Sequence, residues 1–394
     1  MAAAIGFECG VGPVGRALTA LLVALGTAPA QETPDRLPPA EQGLFSDETG
    51  AFDVSGFLST RVGFLPVAMP ITEPAVGYGL AVGLSFFHTS PPVVADADGR
   101  QRTIMPTTTM VFGASTENGT WSTGAAHLGI WDEGRTRYLG AAGYANLELD
   151  WYGRDESLGG ASVAYQNDLA FLYQSIRFQL GDSRFYVGPE YRFLQSEATF
   201  APGGSGPGIP LAELDSRTSG VGVVVAYDDL DHPYQATRGL KGELTLRQHA
   251  EWLGGDFDYG QVRSFLIGYV PLAERLVLGL KGNYDVTGGG APFYDLSAIN
   301  VRGLAKQRYV DAQAIYGETE LRWDFAGRWS AVLFGGGGAV GDSLDTLGQA
   351  HWAGGIGGRY LIAKQFGMRI GLDLAYGDDE WTIYIGVGTG WVRP

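Results

Sequence analysis

The feature that most constrains this chain is a series of short segments in which apolar and polar side chains alternate, with no long apolar run after residue 30. A helix needs roughly 20 consecutive apolar residues to cross a bilayer, whereas a barrel strand needs only about 10 that alternate in polarity. In the segment 366–376, apolar side chains from Phe366 to Tyr376 share one face, and Arg369 and Asp373 share the other. The pattern predicts membrane-spanning strands around a polar lumen.

Sixteen such segments can be placed along the chain, near 57–68, 75–88, 103–115, 119–131, 136–149, 163–180, 184–199, 215–229, 239–251, 255–271, 274–286, 312–325, 328–341, 350–362, 366–376 and 380–391. An even number is typical of bacterial barrels. A soluble β-sandwich also alternates, but it seldom sets a row of charges opposite an apolar, aromatic face. The segment 312–325 does so, with Glu318, Glu320, Arg322 and Asp324. We therefore predict an all-β fold, a single sixteen-stranded antiparallel transmembrane β-barrel at residues 56–394.

The first thirty residues have the pattern of a signal peptide. Arg16 precedes the apolar stretch Ala17–Gly26, and Ala28-Pro29-Ala30 is a cleavage site that would leave Gln31 as the new N-terminus. The only cysteine, Cys9, lies inside this leader. The mature chain is therefore expected to contain no disulfide, which suits export through an oxidising periplasm to the bacterial outer membrane.

Residues 31–55 are rich in Pro, Glu and Asp, which predicts a disordered periplasmic arm. The segments 201–214, 287–311 and Ser90–Arg102 are predicted to be outer loops, and tight turns such as Gly181-Asp182-Ser183 are predicted to be periplasmic. Aromatic residues at strand ends predict girdles at the two membrane interfaces. They are Trp121, Trp131, Trp151, Tyr152, Trp252, Trp323, Trp329, Trp381 and Trp391.

Charge and motifs exclude several function classes. The formal net charge is −16 and no basic patch stands out, so nucleic acid is an unexpected partner. Gly341-Asp342-Ser343-Leu344 spells the nucleophile block of one lipase family, but it ends a predicted strand instead of opening a helix. The sequence contains no H-E-x-x-H, paired-cysteine or P-loop motif. We expect no catalytic residue, no metal and no cofactor, with an outer-membrane hydrolase as a distant alternative.

Two stretches go beyond a generic barrel. The first is an acidic strand end that enters a proline turn and leaves through Thr-Arg-Gly, with Asp231, Pro233, Thr237, Arg238 and Gly239 as its marked positions. The second is the sequence from Val301 through Arg302 and Gly303 to Leu304, in the long segment between strands 11 and 12.

Both stretches resemble signatures of the bacterial surface antigen family, the BamA/TamA-type barrels. In that family the tip of this loop folds back into the lumen, and its arginine binds acidic side chains of the inner wall. The resemblance implies the same for Arg302, with Leu304 where an aromatic residue is usual. Alternation places Glu320 and Asp373 on the lumen face, so these carboxylates are the predicted partners. The alternative is that Arg302 is a solvated loop residue.

The resemblance implies an integral outer-membrane barrel that aids insertion or translocation of proteins or lipids through its seam. About twenty-five residues stand between the leader and the first strand, too few for the folded periplasmic domains of the assembly members. The resemblance therefore does not imply that this chain captures client proteins through periplasmic domains. Expected partners are outer-membrane lipid, lipopolysaccharide and, during biogenesis, the assembly machinery; the client is unknown. The alternative function is a passive or gated pore.

Overall fold

The computed structural model describes residues 51–55, 64–73, 75–88, 93–95, 99, 101–153, 162–200, 215–364, 367–387 and 391. These residues form one antiparallel sheet of sixteen strands, in which each strand pairs with its neighbours in the chain. The strands are β1 (Phe64–Glu73), β2 (Gly77–Phe87), β3 (Thr108–Thr116), β4 (Trp121–Trp131), β5 (Thr136–Trp151), β6 (Val163–Gln179), β7 (Phe185–Phe200), β8 (Asp215–Asp228), β9 (Gly239–His249), β10 (Tyr259–Ala273), β11 (Leu276–Thr287), β12 (Gln313–Ala326), β13 (Trp329–Gly341), β14 (His351–Ala363), β15 (Met368–Gly377) and β16 (Glu380–Val387).

The predicted barrel is confirmed. The first and last strands, β1 and β16, lie side by side, so the sheet curls into a nearly closed barrel. Its outer surface is apolar: Ile370, Leu372 and Leu374 of β15 are exposed, whereas Asp373 between them is buried in the lumen. No helix in the described part of the chain is long and apolar enough to cross a membrane.

The connections fall at two ends of the barrel. We call the end with the turns after even-numbered strands, such as 180–184 and 327–328, the turn end, and the opposite end, with the segment 288–312, the loop end. The segment between β2 and β3 follows an even-numbered strand, so Ser90–Arg102 cannot lie at the loop end as predicted. Its continuation at Thr103 donates a backbone hydrogen bond to Asp231 O in a turn-end connection (3.4 Å).

The first strand extends further than predicted. Alternation predicts its end near residue 68, whereas β1 (Phe64–Glu73) continues to Glu73 and contains Pro66 and Pro70; residues 57–63 of the predicted strand lie outside the described residues. Proline is tolerated in a strand whose N–H side faces an open edge, and β1 is an edge strand. The strands β2 to β15 agree with the prediction within five residues at each end.

Most of the predicted girdle tryptophans face outward, but two do not. Trp121, Trp131, Trp252, Trp323, Trp329 and Trp381 are exposed, and Trp352 joins them. Trp151 and Trp391 are buried instead. The last strand ends at Val387, and Trp391 packs inside the barrel against Tyr269 and Val277.

The leader and residues 31–50 of the predicted arm lie outside the described residues. Residues 51–55, the last part of that arm, contact the turn end of the barrel and are not a free extension. Asp53 forms an ion pair with Arg328 in the β12–β13 turn (2.6 Å), and Val54 N–H donates to Ile362 O of β14 (2.8 Å). Both side chains of the ion pair are largely buried, so this contact carries more weight than an exposed pair would.

We expect Asp53→Ala to release residues 51–55 from the barrel, because the Arg328 guanidinium would lose its carboxylate. Limited trypsin digestion of detergent-solubilised protein should then remove the N-terminal segment several times faster than in the wild type. Asp182→Ala removes a solvent-exposed ion pair with Arg135 at the same end and serves as the matched control. Equal N-terminal trimming in all three proteins would contradict docking through Asp53.

Candidate functional site

The segment between β11 and β12 enters the lumen as a hairpin. Ser297–Ala298 pairs with Val310–Asp311, and Ile299 N–H donates to Tyr309 O (3.1 Å). The apolar side chains Ile299, Leu304 and Tyr309 are buried with Val340 of β13 and Ala353 of β14. We call residues 288–312 the inward loop.

The tip of the inward loop carries Arg302 into a group of carboxylates. Its Nε lies 3.0 Å from Glu318 Oε1, its Nη2 lies 2.9 Å from Glu320 Oε2, and its Nη1 lies 3.0 Å from Asp373 Oδ2. The backbone N–H of Arg302 also donates to Glu318 Oε2 (2.8 Å). Burial alone would lower the pKa of Arg302, but Glu320, Glu318 and Asp373 raise it above the ordinary arginine value. The arginine is therefore held charged among three acids.

Three further side chains complete this cluster. Arg359 of β14 binds Asp373 through both of its terminal nitrogens, with Nη2 2.9 Å from Asp373 Oδ2. Trp391 Nε1–H donates to Glu318 Oε1 (2.6 Å). The guanidinium of Arg302 also stacks over the Phe334 ring at 3.9 Å, a favourable cation–π geometry. Two cations thus face three carboxylates inside a wall of aromatic rings.

Glycines of the glycine-rich strands make room for this cluster. A Cβ on Gly357 would lie 1.9 Å from Asp373 Oδ1, and a Cβ on Gly355 would lie 2.6 Å from the Phe334 ring. At the loop tip, Gly303 has φ +100° and a Cβ there would lie 2.7 Å from Ala353 Cβ. Glycine is required at the tip both by its backbone conformation and by its close approach to the wall.

A second group anchors the base of the inward loop. Arg192 of β7 binds both oxygens of Asp295, at 2.7 and 2.8 Å, and Tyr259 of β10 donates its hydroxyl to Oδ2 (2.5 Å). Burial alone would raise the pKa of Asp295, but Arg192 and Tyr259 lower it to about 2. The neighbouring Phe293 packs in an apolar cluster with Trp151.

The inward loop also touches both strands that border the seam. Lys306 N–H donates to Glu73 Oε1 of β1 (3.2 Å), and the Lys306 ammonium lies 3.6 Å from Glu73 Oε2. Gly303 N–H donates to the Tyr384 hydroxyl of β16 (3.1 Å). The loop tip therefore bridges the seam from the lumen side.

The second predicted motif is a tight turn at the turn end, between β8 and β9. The Asp231 carboxylate accepts hydrogen bonds from Thr237 N–H (2.9 Å), Thr237 hydroxyl (2.5 Å) and Arg238 N–H (3.3 Å). Gly239 has φ +109°, and a Cβ there would lie 2.1 Å from Asp229 O. The motif residues shape the turn, and Pro233 faces the lumen. The turn does not contact Arg302, but its Leu230 and Ala236 belong to the same buried apolar cluster as Trp391.

The sequence singled out Val301, Arg302, Gly303 and Leu304 together with Glu320 and Asp373, and the structure brings these residues together. Arg322 and Arg369 lie near a further carboxylate of β12, Asp324, at 3.5 and 3.4 Å. Arg359, Trp391 and the Asp295 group were missed. Within the described residues, no group of three or more His, Cys, Asp or Glu side chains is placed to hold a metal ion.

The sixteen-stranded barrel of this chain is a fold shared with solved structures. BamA from Haemophilus ducreyi lacking POTRA domains 1–3 is 14% identical, with 83% of this chain and 70% of that chain covered and a TM-score of 0.52. The BamA-type barrel predicted from sequence is therefore confirmed as a fold.

Two CdiB structures have the same barrel. CdiB from Acinetobacter baumannii is 11% identical over 84% of this chain and 60% of that one, with a TM-score of 0.57. CdiB from Escherichia coli is 12% identical over 84% of this chain and 63% of that one, with a TM-score of 0.58. This chain spans less than two thirds of either CdiB. No protein-family model and no curated protein matches the sequence.

Proposed function

We propose that this chain works in the outer membrane through the seam between β1 and β16, where a β-strand of a client protein pairs with a barrel edge on its way into or across the membrane. The observation that carries the proposal is the seam itself. The described residues of β1 pair with β2 and those of β16 pair with β15, but no ladder joins β1 to β16. Unpaired strand edges are templates for another chain.

The two prolines explain why the seam stays open. Alternate residues of an antiparallel strand direct their N–H groups to opposite neighbours. Pro66 and Pro70 share one parity and lie opposite Leu84 and Leu80 in an unbroken ladder with β2. Proline has no N–H, so the hydrogen bonds between β1 and β2 are made by the residues of the other parity. The backbone nitrogens of both prolines therefore face the seam, where two hydrogen-bond donors are missing.

The edge of β16 is different. Its eight residues, Glu380–Val387, contain no proline, so every backbone N–H is present. Along the strand, the outward side chains of Trp381 and Ile383 are apolar and exposed. A client strand would therefore find a complete set of donors on β16 and an interrupted set on β1. We propose β16 as the edge that receives the client.

The occupied lumen supports a seam route over the alternative of a pore. The inward loop is fixed in the lumen by the Arg302 and Asp295 clusters, and Trp391 adds a further buried contact at Glu318. A conducting path through the barrel would have to pass these groups. A route through the seam does not pass between these groups.

We expect the double substitution Pro66→Val and Pro70→Val to close the seam, because it restores two donors. Each new hydrogen bond contributes about 1 kcal/mol, so the barrel should become more stable by about 2 kcal/mol. Amide exchange in β1 and β16 should slow at least tenfold. The variant should also lose the ability to speed the folding of a urea-unfolded outer-membrane barrel into liposomes.

Pro189→Val is the matched control, because Pro189 is an exposed proline within β7, far from the seam. It should leave both exchange and assisted folding unchanged. If amide exchange shows that the seam has closed in the double variant, but the variant still speeds folding as well as the wild type does, the proposal is refuted. A steady single-channel conductance that the seam variant does not alter would favour the pore.

A further inference from the structure

A cavity of about 340 Å³ lies in the lumen near the turn end, and neither Arg302 nor Asp295 lines it. Its wall is formed by inward side chains of β4 to β10, among them Leu128, Tyr173 and Phe265. The connections between β2 and β3 and between β8 and β9 cover it with Ile104 and Leu230. The volume falls in the lower range of small-molecule sites, which span about 300–1,000 Å³.

The charged side chains of this cavity do not balance. Arg137 pairs with Asp228 at 2.5 Å, and Arg177 pairs with Glu243 at 2.6 Å. Lys241 also lines the cavity, and among the described residues its ammonium has no carboxylate within ion-pair distance. The described lining therefore carries one excess positive charge, from Arg137, Arg177 and Lys241 against Asp228 and Glu243, in a chain whose formal net charge is −16. A half-buried ammonium without a partner favours an anion beside it.

The rest of the wall is suited to an apolar body. Ile104, Leu128, Leu139, Leu230 and Phe265 line the space around the charges. We propose that this cavity binds a small amphipathic anion, with a carboxylate or phosphate head at Lys241 and a medium-length hydrocarbon chain against these side chains. An apolar wall with a few convergent polar groups is the usual composition of a ligand site.

The ligand would enter from the turn end. There the described residues of the cover, Thr103–Met105 on one side and Leu230 and Pro233 on the other, are joined by a backbone hydrogen bond of 3.4 Å from Thr103 N to Asp231 O, which is a long one. The site does not depend on the seam, so it can be tested independently of the proposed function.

Cysteine labelling can report the charge inside the cavity. In a Cys9→Ala background, Leu128→Cys places the single thiol on the cavity wall. We expect an anionic sulfonatoethyl methanethiosulfonate to react faster than its cationic trimethylammonium analogue, and Lys241→Met to reduce this preference at least tenfold. Lys241→Arg keeps the charge and should keep the preference. Ser183→Cys, on an exposed turn at the same end, should show no dependence on Lys241.

Binding is tested with octanoate, octyl phosphate, octylammonium and octanol on nanodisc-embedded protein, below their micelle-forming concentrations. Octanoate or octyl phosphate should slow labelling of Leu128→Cys at least fivefold, and the stronger of the two identifies the head group. Octylammonium and octanol should not protect. Equal protection by all four, or protection by octanoate that survives Lys241→Met in a variant that still migrates as a folded band unboiled, would overturn the proposal.

Discussion

Arg302→Ala should detach the tip of the inward loop. The substitution leaves Glu318, Glu320 and Asp373 buried with Arg359 as their remaining cation. Removing one partner of a buried ion pair costs about 3–5 kcal/mol, because the other charge is left unpaired. We expect residues 290–310 to become cleavable by protease added to intact cells, with the barrel itself still migrating as a folded band when unboiled.

Lysine should not restore protection fully, because one ammonium cannot reach three carboxylates with the fork geometry of a guanidinium. Glu320→Gln and Asp373→Asn should give weaker versions of the same cleavage. Arg135→Ala, which removes an exposed pair, is the control and should leave the loop protected. An inward loop as resistant in Arg302→Ala as in the wild type would show that the cluster does not hold the tip.

Asp295→Asn should free the base of the inward loop at neutral pH and make the remaining loop stability less dependent on acid. The folded pKa of Asp295 is lowered to about 2, against about 3.9 for an unperturbed aspartate. The charged carboxylate therefore contributes about 2 kcal/mol above pH 4, and this contribution is lost as the pH falls towards 2. Limited pepsin digestion between pH 2 and 4 measures this change.

The difference in pepsin digestion rate between the wild type and Asp295→Asn should be largest near pH 4 and should decrease towards pH 2. Asp256→Asn alters an exposed carboxylate in the β9–β10 connection that pairs with Arg217, and it should follow the wild type throughout. If this difference in digestion rate stays constant between pH 2 and 4, Asp295 stabilises the inward loop through its packing and not through its charge.

The strands were predictable because each one shows a period of two between a lipid face and a lumen face. The error at β1 has a physical reason: a proline usually ends a strand, and only the position of β1 at a sheet edge lets Pro66 and Pro70 lie inside it. The position of the Trp391 side chain inside the lumen could not be predicted either. An aromatic residue after an alternating strand fits a membrane girdle as well as it fits a lumen contact.

The candidate site was predictable where it depends on the sequence motif and on alternation, as for Arg302, Glu320 and Asp373. Arg359 lies on the same lumen face of β14, but its pairing with Asp373 depends on which strands are neighbours and in what register. The Asp295 group joins residues from β7, β10 and the loop, which are more than thirty positions apart in the chain. Such a group forms only when the barrel folds, so no local sequence pattern predicts it.

The contacts of the loop tip with both seam strands couple the loop end of the barrel to the seam between β1 and β16. Lys306 holds Glu73 of β1, and Gly303 holds Tyr384 of β16, so parting the strands must break at least one of these contacts. By thermodynamic reciprocity, any molecule that binds the loop end and favours a withdrawn tip must also favour separation of β1 from β16. Any strand that separates β1 from β16 must in turn raise the affinity for that molecule. Binding at the loop end and strand pairing at the seam would then influence each other through the hairpin of the inward loop.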